Sequence, residues 1–212
     1  MKLALKKLLQ AHPSIQVSTL LSGSLSTPSA KGTFVPSTAF ESIATVTVGS
    51  GGSSSASFTS IPATYTHLQL RWIGRASQAN TGLGVYMRIN NNTGSNYARH
   101  WLRGDGTAAS SANSVSDNLI SLGGVPGANS PSSIFGVGII DILDYANTNK
   151  YKTIRSMQGT NQNTTADDNI FLASGFMFAN TDAVTRIDVV ADSGGVGFVQ
   201  YSQFALYGIK GV

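Results

Sequence analysis

The chain has 212 residues, room for a single β-sandwich with a full core. It contains no cysteine, which excludes disulfides, thiolate metal sites and cysteine nucleophiles, and only 11% of its residues are charged, against about 25% in an average globular protein. Lys2, Lys6, Lys7 and Lys31 account for the whole formal net charge of +4; beyond residue 31 ten basic residues balance ten acidic ones, which argues against a nucleic-acid-binding fold.

Residues 1–39 read as an attachment arm and linker. Leu5, Leu8 and Leu9 fall on one face at helical spacing until Pro13 ends the pattern, so a short helix is expected there. A helix of that length is marginal alone and orders against a partner. IQVSTLL then alternates like an extended strand, and SGSLSTPSAKGTFVPST has the composition of a linker. The expected docking residues are Leu3, Leu5, Lys6, Lys7, Leu8, Leu9, Ile15 and Val17. Lys6 and Lys7 interrupt the apolar run that a secretion signal needs, and no stretch approaches the roughly 20 apolar residues of a membrane span.

From residue 40 to 212 the pattern is strand, turn, strand. Alternating or apolar runs are expected as strands at 42–48, 56–61, 67–75, 85–90, 96–103, 134–143, 151–157, 169–179, 185–190 and 198–209, with a further short run at NLISLGG. Residues 104–117 read as a long polar loop. In the third run Leu68, Leu70 and Trp72 face inward, with Gln69, Arg71 and Arg75 outward; in the fourth, Val85, Met87 and Ile89 face inward with Arg88 outward. Glutamate occurs once, at Glu41, so little sequence favours long helices. The expected fold class is all-β: an antiparallel two-sheet sandwich, most economically a jelly roll.

Catalytic constellations are not legible. The three histidines are His12 in the arm, His67 at a strand start and His100, expected half-buried beside Trp101. No G-x-S-x-G elbow accompanies them, and the aspartates are scattered without paired glutamates. Neither phosphate-binding glycine motif occurs. Asp167–Asp168 and the 105–117 segment offer oxygen ligands but lack the regular ligand spacing of a calcium loop, so solvated acids are the expectation. Arg103-Gly104-Asp105 spells an adhesion tripeptide, yet Gly-Asp-Gly after an alternating run is turn chemistry. No enzyme activity, cofactor or metal is therefore expected. Trp72 and Trp101 sit on alternating strands, where core packing is the default; a glycan or partner contact is the alternative for both.

Three stretches, FESIATVTVGSGGSSSASFTSIPATYTHLQLR (40–71), NNNTGSNYARHWLRGDG (90–106) and FVQYSQFALYGIKG (198–211), carry a resemblance. In that order they resemble a β-sandwich module of tailed-bacteriophage virion structural proteins, of tail-fibre or decoration type. The resemblance implies a non-enzymatic particle component located in the virion. Its implied partners are other capsid or tail proteins, bound through residues 1–39, and further copies of itself, such as a trimer. It brings no catalytic residues and implies neither nucleic acid nor membrane as partner. The alternative is a receptor- or glycan-binding module, fibre-tip or lectin-like, with a host-surface glycan as ligand.

Overall fold

The computed structural model describes residues 39–162, 169–177, 181–191 and 197–211, all within a unit spanning Ala39–Val212. The expected helix and extended segment of residues 1–38 lie outside the described residues.

Twelve strands occur among the described residues, and no helix. They are β1 (Phe40–Thr47), β2 (Ser55–Phe58), β3 (His67–Gly74), β4 (Gly82–Ile89), β5 (Tyr97–Gly104), β6 (Ala109–Asp117), β7 (Ile120–Pro126), β8 (Gly136–Leu143), β9 (Lys152–Thr160), β10 (Asn169–Met177), β11 (Ile187–Ala191) and β12 (Gln203–Ile209). Eight form one antiparallel sheet in the order β1-β12-β3-β8-β9-β10-β5-β6; four form a second in the order β2-β11-β4-β7. The expected all-β, two-sheet antiparallel architecture is therefore present.

Period-two patterning accounts for the core. Leu68, Leu70 and Trp72 from β3 meet Val85, Met87 and Ile89 from β4, together with Ile140, Ile142, Ile187, Val189, Phe204 and Leu206. Each large side chain removed from water contributes about 1.5–3 kcal/mol before entropy is counted. Tyr97 is buried at the start of β5; its hydroxyl donates to the carbonyls of Ile89 and Asn92 and accepts from the Ile89 amide at 3.0 Å. That tie closes the 90–96 turn, where Asn90 and Asn91 adopt the left-handed conformation that asparagine tolerates.

Three sequence expectations need correction. Residues 109–117 are not loop but β6, paired to β5 through main-chain bonds. The strand lies at the sheet edge with nearly every side chain exposed, so no buried face imposes an alternating pattern on it. Arg75, expected outward, is buried: its guanidinium donates to the carbonyls of Ser130, Pro131 and Ile134 at 2.8–3.0 Å, clamping the 127–135 segment. His100 is exposed rather than half-buried, because β5 turns it outward opposite Ser174.

Candidate binding surfaces

The two sheets differ in width, and that difference creates a cleft. The edge strand β7 of the small sheet packs across β8, β9 and β10, leaving the inner face of β5 and the start of β10 partly uncovered. Arg99, Trp101 and Arg103 are alternate residues of β5 and line this overhang with Thr160, Asn169 and Phe171. The facing wall is Gly82–Gly84 of β4 and Gly123–Val125 of β7, and the cleft has a volume of about 330 Å³.

Within it, Trp101 is half-buried and stacks with Phe171, ring centroids 5.6 Å apart and planes 28° apart. Arg99 Nε lies 2.8 Å from Asp117 Oδ2. Arg103 Nε is buried and has no hydrogen-bond partner among the described residues. On the far wall the Gly124 carbonyl accepts from Gln158 Nε2 at 2.7 Å and Thr160 Oγ1 at 3.2 Å. Gly123 has a φ of +110°, and a Cβ there would stand 2.6 Å from Gln158 Oε1. Glycine thus keeps this wall thin where β4 and β7 slip register.

A second surface is the outer face of the large sheet. Ile73, Leu102, Val137, Met157, Ile170 and Leu172 are each 40–60% exposed. Register gathers them: Ile73 is opposite Val137, and Met157 is opposite Leu172, which is opposite Leu102. Ile170 shares a neighbour, Gly159, with Val137. The residues form two adjacent rows across five strands, about 20 Å wide at the usual strand spacing. Beyond them runs a charged row in which Arg155 holds Asp141 at 2.8 Å and Gln69 donates to the same carboxylate.

The sequence-predicted residues separate. Leu3, Leu5, Lys6, Lys7, Leu8, Leu9, Ile15 and Val17 lie outside the described residues. Trp72 is 4% exposed and sits in the core against Gly138, out of reach of a surface ligand. Trp101 lines the cleft. Of the calcium candidates, Asp167 and Asp168 lie outside the described residues, and no group of three or more His, Asp or Glu suited to a metal occurs among the described ones.

The adhesion-like tripeptide is built into the β5–β6 turn. Asp105 Oδ1 accepts from the Thr107 and Ala108 amides and the Thr107 hydroxyl at 2.7–2.9 Å, and Gly106 takes a φ of +86°. These bonds pull the Asp105 carboxyl down from 3.8 to about 2. His67 accepts the Asp144 amide on Nδ1 and closes a loop.

Arg99, the place of Arg103 in the cleft and the outer apolar rows were not singled out by sequence. A signal existed for the rows: in NIFL (169–172) and GVGII (136–140) apolar residues occupy both phases of the strand, as happens when neither face is fully polar. Compared with protein-family models, curated proteins and solved structures, the chain matches none.

Proposed function

We propose that this chain is a non-enzymatic structural component of a tailed-phage particle, a head decoration, fibre or tail accessory protein. It is held to other virion proteins by residues 1–39 and joined to further copies of itself. The observation that carries the assembly role is the pair of exposed apolar rows on the outer face of the large sheet. Soluble monomers rarely expose a contiguous apolar patch larger than a few hundred Å², and larger ones mark interaction sites. A flat sheet face with a charged row beside it suits a repeated copy, in a closed ring such as a trimer. The virion assignment itself rests on the three sequence stretches described above.

Strand order supports a finer reading of the fold as a jelly roll. Without the β5–β6 and β9–β10 hairpins the sheets reduce to β1-β12-β3-β8 against β2-β11-β4-β7. That is two four-stranded sheets wound as one folded-over ribbon, the arrangement of many viral capsid and lectin domains. The hairpins then widen only the first sheet, and they supply Leu102, Met157, Ile170 and Leu172.

Sedimentation of the full-length protein tests the assembly role. The native chain is expected to self-associate, and the double substitution Met157→Glu, Leu172→Glu to return it to monomer with unchanged circular dichroism. A native chain that stays monomeric at about 100 μM, a concentration at which even micromolar contacts fill, would overturn it.

A further inference from the structure

We propose that the cleft beneath Trp101 binds a saccharide unit bearing one carboxylate, a uronic or sialic acid residue of an acidic glycan. This does not rest on the virion assignment; it follows from three features of the cleft.

The first is the aromatic floor. Phe171 is buried and backs the Trp101 indole, so the half-exposed indole is held by its neighbour and by its place between two arginines on one strand face. A pyranose ring presents a face of C–H bonds polarised by the attached oxygens, and such a face is drawn to the negative face of an aromatic ring.

The second is the charge count. Arg99 forms an ion pair with Asp117 at 2.8 Å, whereas Arg103 Nε has no hydrogen-bond partner among the described residues and its guanidinium acts on the Asp105 carboxylate through electrostatic attraction. The acid nearest to it in sequence, Asp105, commits Oδ1 to three donors of its own turn. A buried guanidinium N–H with no acceptor is costly, and a carboxylate is the ligand that accepts from it in parallel with a terminal nitrogen. One guanidinium with an unused Nε–H among the described residues suits a monoanion. A nucleotide phosphate, with close to two negative charges, calls for more.

The third is the opposite wall and the size. Gly82, Gly84, Gly123 and Gly124 contribute no side chain of their own, so this wall leaves the cleft open to a ring. A volume of about 330 Å³ is at the lower end of the roughly 300–1,000 Å³ of ligand sites, enough for one sugar ring with its neighbours running out of the open side.

Titration calorimetry on the full-length protein tests the proposal. The probes are oligomers of mannuronate, galacturonate, glucuronate and N-acetylneuraminate, each with its carboxyl-reduced counterpart, and AMP. At least one acidic oligomer is expected to bind, with its carboxyl-reduced form about tenfold weaker or more, the loss that follows removal of a charged hydrogen bond. Arg103→Ala is expected to weaken the acidic oligomer by a similar factor while leaving the neutral form unchanged; Arg103→Lys should recover part of it. Trp101→Ala is expected to abolish both, and the outer-face substitutions Met157→Glu, Leu172→Glu to leave both intact. Binding of none of the acidic oligomers overturns the proposal. So does equal affinity for acidic and reduced forms, preference for AMP, or an Arg103→Ala protein that binds as the native chain does.

Discussion

Arg75 shows how one side chain can stand in for regular structure. The 127–135 segment joins β7 to β8, and its carbonyls at Ser130, Pro131 and Ile134 are met by one buried guanidinium instead of by a strand. Burial pushes the Arg75 guanidinium pKa down, yet arginine remains charged at any working pH. Arg75→Ala leaves three carbonyls without a donor, so urea denaturation is expected to show a loss of about 2–4 kcal/mol. Asp105 works at the same scale in the β5–β6 turn. Its folded pKa of about 2 lies below the ordinary 3.8, so its contribution to the turn is complete above 3.8 and fades as pH falls through about 2. A carboxyl titration by NMR should place its midpoint near 2, and Asp105→Asn should remove the pH dependence of the Thr107 and Ala108 amide shifts. The turn at Asp105 was legible from Gly-Asp-Gly, but Arg75 was not: it ends an alternating run and reads as solvent-facing, and only the returning 127–135 chain makes it interior.

At the scale of elements, β3 and β8 illustrate why strand residues are chosen in pairs. Trp72 pairs with Gly138 across the sheet, and a Cβ on that glycine would stand 2.5 Å from the indole. The glycine is the hole into which the tryptophan fits, and an indole held on all sides does not move aside. Gly138→Ala is expected to cost about 1–3 kcal/mol by overpacking, read as a lowered melting temperature. The two strands were each visible as patterned runs, but their pairing was not. Strand β6 was missed altogether, because both its faces meet solvent and polar serines there carry no period. Its backbone is satisfied along one side by β5, and a sequence reading cannot see a hydrogen bond that depends on the neighbour's position.

For the whole molecule, the charge distribution separates two regions of the sequence. The net charge of +4 lies in the first 31 residues, and the rest of the chain sums to zero. Under the proposed virion role, deleting residues 1–31 is expected to leave a folded sandwich with native circular dichroism that no longer incorporates into particles. Incorporation at the native level would defeat the arm's proposed role. The sandwich presents its two surfaces at different places: the apolar rows on the outside of the wide sheet, the cleft on its inside where the narrow sheet ends. Both depend on the β5–β6 and β9–β10 hairpins, which widen one sheet and not the other.

The sequence by itself determined the class of fold and the interior of most strands. Alternation at β3, β4, β8 and β12 follows from the two-residue repeat of a half-buried strand, which is a local property. It also ruled out thiol chemistry and confined the net charge to one end. Only the tertiary structure decided which polar residues are buried and which apolar ones are not. Arg103 stands opposite Phe171, and Leu102 opposite Leu172, because register brings distant strands together. Register is set by the whole sheet closing over its core, and no window of neighbouring residues contains it.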